Sequence, residues 1–228
     1  MAQQFLYNEF PLFLKRYFPY KVQKISLNAG FTCPNRDGTK GQGGCTYCNN
    51  QTFNPEYCRT EKTIKVQLEE GKRFFAHKYP EMKYLAYFQA YTNTYAGLET
   101  FLLVEYGIET TCDETLKRIN RGHTYADTVE TVQRTAARGI LTGGHVILGL
   151  PGESHDDMVS QAGVLSELPL TTLKMHQLQL IRGTRMAYEY EQNPAGFHLF
   201  NDVNEYIELV IDYIEHLRPD IEIGRAHV

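Results

Sequence analysis

Cys33, Cys45 and Cys48 fall within sixteen residues of one another, in the stretch FTCPNRDGTKGQGGCTYCNN that covers 31–50. Gly, Pro, Asn and Asp crowd this stretch and leave it little capacity for helix or strand. A backbone of that kind can turn its thiolates inward around one inorganic centre. A four-iron cluster held wholly by protein takes four cysteines, so three leave one iron open to a ligand from outside. The run just before, Val22 to Leu27, reads as a strand. The cysteines are therefore expected on a loop at a strand's C-terminal end, where α/β barrels carry their active sites.

Two other readings of the cysteines stand beside this one. A structural zinc site would take Cys45 and Cys48 as a pair, Cys33 as third ligand and Cys58 or His77 as fourth, although such sites typically use two paired motifs. A disulfide framework fits less well, because five cysteines is an odd number and the N-terminus MAQQFLYNEF has neither a basic n-region nor an apolar h-region. The expected location is the cytoplasm, with thiols reduced and available to metal. Cys58 and Cys112 have no motif partner and read as buried or incidental thiols.

An apolar fraction of 42% over 228 residues suits one globular α/β unit. No apolar run approaches a membrane span, and a formal net charge of −4 does not mark a non-specific nucleic-acid binder. Strand and helix patterns alternate. Helices are expected at about 3–17, 64–77, 125–138, 155–167 and 203–217, and strands at 21–27, 83–90, 101–108, 140–150 and 171–181. That order predicts a parallel sheet with helices outside it. One connection is too short. Only Tyr91 to Thr100 separate the second strand from the third, whereas a parallel crossover normally takes a dozen residues or more.

Five segments in order then carry a resemblance: the cysteine loop, Glu105-Tyr-Gly-Ile-Glu109, LKRINRGH (Leu116–His123), GLPGE (Gly149–Glu153) and IRGT (Ile181–Thr184). Together they resemble the radical S-adenosylmethionine (radical SAM) proteins. Within these, the chain is most similar to the Elongator-catalytic-subunit-like group and its bacterial YhcC/YtqA-type members. The resemblance implies an α/β fold, a partial (β/α)6 TIM-like barrel, with a 4Fe–4S cluster on Cys33, Cys45 and Cys48. The open iron is expected to bind the amino and carboxylate groups of SAM. It further implies Tyr47 beside the adenine, Gly149 and Leu150 at a strand exit that adenine approaches, and Glu109 and Arg121 against the methionine moiety. Gln89 and Asn93 stand where many relatives carry Gly-Gly-Glu for the SAM amino group, and Phe-Gln-Ala-Tyr-Thr-Asn departs from that pattern.

The resemblance also exposes two departures. Relatives carry a helix, a strand and another helix where Gly97-Leu-Glu-Thr100 runs straight into Phe101, so one strand–helix unit is expected to be missing. Read back into codons, EIGRAHV (Glu222–Val228) matches a sequencing-library adapter in frame. Residues 1–221 are thus expected to be a single, truncated radical SAM core domain and 222–228 a non-native tail. The implied activity is reductive cleavage of SAM for modification of a tRNA wobble uridine, with an electron donor such as flavodoxin or ferredoxin and no membrane partner. A radical enzyme acting on a small metabolite or a protein, and a non-catalytic iron–sulfur or zinc module, are the alternatives.

Overall fold

Along Leu141–Leu148 the even positions Thr142, Val146 and Leu148 are wholly buried, and their neighbours on the adjoining strands, Ile108, Leu173 and Met175, bury with them. This is the signature of a strand inside a helix-covered parallel sheet. The computed structural model describes residues 7–49, 54–77, 81–91 and 103–226. In chain order its elements are α1 (Phe10–Lys15), β1 (Val22–Leu27), α2 (Ile64–Ala76), β2 (Lys83–Phe88), β3 (Leu103–Glu109), α3 (Asp113–Arg118), α4 (Tyr125–Ala136), β4 (Leu141–Leu148), α5 (His155–Ser166), β5 (Thr172–Gln177), α6 (Arg185–Gln192), a 3-10 turn at Pro194–Gly196, α7 (Val203–Glu215) and β6 (Glu222–Ala226). Every strand pair among the described residues is parallel. The fold class is α/β, as the alternating pattern requires.

The contacts divide the chain into two compact units, one of residues 1–10, 45–47 and 99–228, the other of 11–44 and 48–98. In the first, β3-β4-β5-β6 form one sheet. Its buried face packs Ile108, Val146, Leu148, Leu173, Met175 and Ile223 with side chains of α4, α5 and α7, among them Val132, Met158, Leu165, Tyr206, Leu209 and Tyr213. The helices start where their caps dictate. Thr124 and Ser154 each accept from the backbone N–H three residues on, while Asp127 and Asp157 return the bond to the cap. A cap of this kind contributes about 1 kcal/mol.

In the second unit β1 pairs with β2 over six residues. Ile25 and Leu27 are buried with Tyr57 and Cys58. Gln67, fully buried on α2, accepts from the Asn28 N–H at 2.8 Å and donates to the carbonyls of Asn28, Arg59 and Lys62. Helix α2 lies close on β1 because Gly71 has no side chain; a Cβ there would collide with Ile25 Cγ2 and lie 3.2 Å from the Tyr57 ring. Ordinarily Gly→Ala inside a helix stabilises by about 0.5–1 kcal/mol. Here overpacking reverses the sign, and Gly71→Ala is expected to cost about 1–3 kcal/mol, read as a lower urea midpoint. An unchanged or higher midpoint would show that Ile25 can step aside.

Three differences from the sequence expectations have local causes. The opening helix does not reach back to Tyr7. Asn8 and Glu9 are extended, with Glu9 in a parallel bridge to Ile223 and the Asn8 carbonyl accepting from the Ile223 N–H at 2.7 Å, and the helix starts at Phe10 with Pro11 in its first turn. Helix α6 has no counterpart in the sequence expectations: its only buried residue is Met186, so the apolar period is faint, and the cap Thr184, accepting from the Ala187 N–H, marks its start. Residues 222–226, set outside the fold on sequence grounds, form β6 against β5, with Ile223 in the core. The short connection expected at 91–100 falls outside the described residues apart from Tyr91. The strands on either side of it, β2 and β3, belong to separate sheets.

Candidate cofactor site

The cysteine loop is built from tight turns. Within the second unit the Cys33 carbonyl accepts from the N–H groups of Arg36 and Asp37, the Pro34 carbonyl from Lys40 and Gly41, and the Asn35 carbonyl from Gly44. Arg36 reaches across to donate to the Cys48 carbonyl at 3.0 Å. A Cβ on Gly44 would lie 2.7 Å from that guanidinium, so glycine here is what lets Arg36 lie across the loop. Cys33 and Cys48 are partly exposed, Cys45 is buried, and none of the five cysteines forms a disulfide. Among the described residues no three His, Cys, Asp or Glu side chains close on one point as a single-ion site does.

Cys45–Tyr47 belongs to the first unit. Thr46 fixes it there: its N–H donates to the Ile119 carbonyl at 2.9 Å, and its carbonyl accepts from the Met186 N–H at 3.0 Å. Tyr47 packs on a second apolar cluster containing Leu116, Ile119, Ile147, Leu150 and Met186. Burial, then the Glu109 carboxylate, push its phenol well above the usual range, so it stays protonated.

Arg121 is the hub. Its Nη1 donates to Cys45 Sγ at 3.5 Å, its Nη2 to the Gly107 carbonyl at 2.6 Å, and its Nε to His123 Nε2 at 2.8 Å. Nη2 also stands 3.5 Å from Glu109 Oε1. Desolvation opposes its charge, but Tyr47, Glu109 and Cys45 around it outweigh that cost, and it holds its proton more tightly than an arginine in water. Glu109 is buried at the end of β3 with φ +68, a left-handed backbone next to a register shift in the β3–β4 ladder. A non-glycine residue there costs on the order of 1–3 kcal/mol and persists only where its surroundings hold it. Gly107 makes the space: a Cβ would collide with Glu109 Oε1 and sit 2.7 Å from Arg121 Nη2.

The structure thus brings Cys45, Glu109 and Arg121 together and packs Tyr47 and Leu150 into one apolar cluster. Gly149, at φ +91, leaves room for the Phe200 ring, 2.9 Å from where its Cβ would be. Gln89 sits exposed past the end of β2, its Oε1 accepting from Ser26 Oγ at 3.2 Å. Asn93 lies outside the described residues. Gly107, His123 and Arg36 are site residues that the sequence reading does not single out. The first two stand inside the segments Glu105–Glu109 and Leu116–His123, and Arg36 carries no signal beyond its place in the loop.

GLPGE has a structural role as well. The Glu153 carboxylate is buried, accepting from Thr110 Oγ1 and, at 3.0 Å, from Gln161 Nε2. Burial raises its pKa against the pull of these donors. The folded chain therefore keeps a proton that the unfolded chain has released, and stability from this group falls as pH rises from the ordinary carboxyl value to the raised one. Glu153→Gln is expected to gain stability relative to wild type at pH 7 and not at pH 4, since its amide can donate to Gln161 Oε1, which has no partner among the described residues. Urea unfolding at both pH values reads this; a difference independent of pH would refute it.

Comparison with known proteins gives the family. The radical SAM superfamily model matches residues 91–160 and the radical SAM C-terminal domain model residues 170–227. YtqA of Bacillus subtilis (strain 168) is 31% identical over 253 positions, covering 93% of this chain and 78% of YtqA. YhcC of Escherichia coli (strain K12) is 32% identical over 263 positions, covering 97% of this chain and 83% of YhcC. The chain belongs to the radical SAM superfamily. Its fold is shared with the archaeal Methanocaldococcus infernus Elp3, at a TM-score of 0.57 and 16% identity, over 92% of this chain and 57% of that one. Both alignments run longer than this chain's 228 residues, so at least 25 positions of YtqA's and 35 of YhcC's face residues this chain lacks. No helix among the described residues is long and apolar enough to cross a membrane.

Radical SAM proteins use a 4Fe–4S cluster and SAM. The donors present fit both. Three thiols lie on one turn-rich loop, an arginine fork and a carboxylate sit beside Cys45, and Thr46 Oγ1 is buried with no partner among the described residues.

Proposed function

We propose that this radical SAM enzyme cleaves SAM reductively in order to modify the wobble uridine of a tRNA. The observation that supports the catalytic part is Arg121 Nη1 at 3.5 Å from Cys45 Sγ, in keeping with an arginine fork that binds a carboxylate next to a cluster ligand. Cys33, Cys45 and Cys48 would hold the cluster as thiolates. When bound, the cluster supplies the electron that splits SAM into methionine and a 5′-deoxyadenosyl radical. Arg121 binds the methionine carboxylate through paired N–H groups, and Glu109 takes the ammonium. Tyr47 and Leu150 supply an apolar wall that keeps water from the reacting centre, and Gly149 ends the strand that carries it. Gln89 and Asn93 are assigned to the SAM amino group by position alone.

Arg121→Lys is expected to weaken SAM binding roughly tenfold or more while leaving cluster absorbance intact, because lysine offers a point charge in place of a fork. Equal SAM affinity would return Arg121 to a purely structural ion pair. The tRNA assignment rests on the likeness to Elongator-like proteins. Nucleoside mass spectrometry of tRNA from a strain lacking a full-length relative such as YhcC tests it: loss of one wobble-uridine nucleoside supports it, and an unchanged profile refutes it.

A net charge of −4 favours a second reading, a small-molecule or protein substrate. Methionine and 5′-deoxyadenosine formed under anaerobic reduction, with tRNA unaltered, would select that reading; absence of both products would leave a non-catalytic iron–sulfur module. A flavodoxin or ferredoxin in the cytoplasm is the electron donor we assign.

A further inference from the structure

Arg121 is held more firmly than a ligand-binding arginine requires. Three of its nitrogens are engaged, and the partner of Nε is a histidine that no functional role has yet absorbed. We propose that His123 and Arg121 form a hydrogen-bonded brace that sets the reduction potential of the iron–sulfur centre, by keeping an N–H donor on the sulfur of Cys45. The proposal rests on the reading that Cys45 ligates the cluster.

The brace can be followed outward from the sulfur. A guanidinium is planar and rigid, so fixing two of its nitrogens fixes the aim of the third. Nη2 is fixed by the Gly107 carbonyl and Nε by His123 Nε2, which leaves Nη1 directed at Cys45 Sγ. To accept from Nε, His123 Nε2 must carry no proton. The ring proton therefore sits on Nδ1, which donates to the Thr124 carbonyl at 3.2 Å. Thr124 is itself immobilised as the cap of α4, and the next N–H, that of Tyr125, donates to Asp113 Oδ1 at 2.7 Å. His123 is thus held at one nitrogen by a helix start and holds the arginine with the other.

The electrostatic consequence has a definite sign. Reduction makes a cluster more negative, so N–H donors to its sulfurs and a fixed positive charge nearby stabilise the reduced state and raise the potential. The Arg121 side chain is only 21% exposed, so water and salt screen this charge weakly. Removing His123 leaves the charge but frees its aim; removing Arg121 takes both away. His123 is a positioning residue that acts through Arg121.

The test uses the full chain, reconstituted anaerobically without SAM, with iron and sulfide content measured beside a redox titration followed by electron paramagnetic resonance. His123→Ala is expected to lower the midpoint potential at unchanged iron content. His123→Gln, whose amide oxygen can still accept from Nε, should return it toward wild type. Arg121→Gln should lower it further, and adding His123→Ala to Arg121→Gln should shift it no more, since the two act in series. Wild-type potentials in both His123→Ala and Arg121→Gln, at full iron content, would overturn the brace. If His123→Ala loses its fold, Arg121→Gln against Arg121→Lys decides the same question, the lysine retaining charge without the fork. Cys45→Ala separates the two levels. Full cluster retention there overturns the ligand reading, whereas cluster loss there combined with unshifted potentials overturns the brace alone.

Discussion

Changing Cys33, Cys45 or Cys48 to alanine should each abolish the broad iron–sulfur absorbance of the anaerobically reconstituted protein, while Cys58→Ala and Cys112→Ala leave it in place. The contrast follows from what surrounds each sulfur. Cys58 is 2% exposed among Ile25, Leu27 and Tyr57, and burial pushes its thiol up, which keeps it protonated and inert. Cys112 precedes α3 and turns its sulfhydryl to Glu114 Oε2 at 3.4 Å. Cys45 has an arginine at its sulfur, Arg121 Nη1 donating at 3.5 Å. With three ligands rather than four, loss of one leaves too few attachments to retain a cluster. Equal loss of absorbance in Cys58→Ala, with an unchanged circular dichroism spectrum, would make the fourth ligand a protein group and close the iron expected to meet SAM.

The second large effect is on turnover. This 228-residue chain is expected to bind iron and yet form 5′-deoxyadenosine at least a hundredfold more slowly than a full-length relative such as YhcC, since a misplacement on the order of 1 Å costs about that much. Its alignments with YtqA and YhcC face at least 25 and 35 residues absent from it. In its own structure β2 has only β1 as a ladder partner, and β3 only β4, among the described residues. Strands paired on one side present open backbone groups, which invite association with other chains. Outside Thr46, whose backbone bonds reach Ile119 and Met186, the cysteine loop is closed by bonds among near neighbours in sequence and should survive such a loss. Arg121 and Glu109 depend on the end of an edge strand, β3. Anaerobic assays of both proteins at equal iron content, with light scattering alongside, measure this. Comparable rates would show that the lost residues are dispensable.

What was legible in the sequence divides along the same line of local against distant. The alternation of strands and helices showed in the apolar period because β1, β4 and β5 each bury a face. Likewise, the cysteine motif showed because its ligands lie within one loop. His123 did not show, since its importance lies in which nitrogen of Arg121 it meets, and nothing in the order Arg-Gly-His fixes that. Gly107 was hidden for a related reason: its missing side chain matters only because Glu109 and Arg121 fold back over it. Strand β6 was hidden because five residues beginning Glu-Ile-Gly carry no period strong enough to mark a strand, and β5 supplies the edge that orders them. Arg36 follows the same rule in miniature, being twelve residues from the carbonyl it grips.

The left-handed backbone of Glu109 sets a trap for anyone trying to make this protein hardier. By conformational preference alone, Glu109→Gly should relieve the strain at the tip of β3 and raise the melting temperature. Yet the same exchange removes the carboxylate that faces Arg121. Losing that partner leaves the Arg121 charge less compensated in a site largely out of water, a cost that opposes the strain relieved. Backbone strain and charge pairing are set against each other at that one residue.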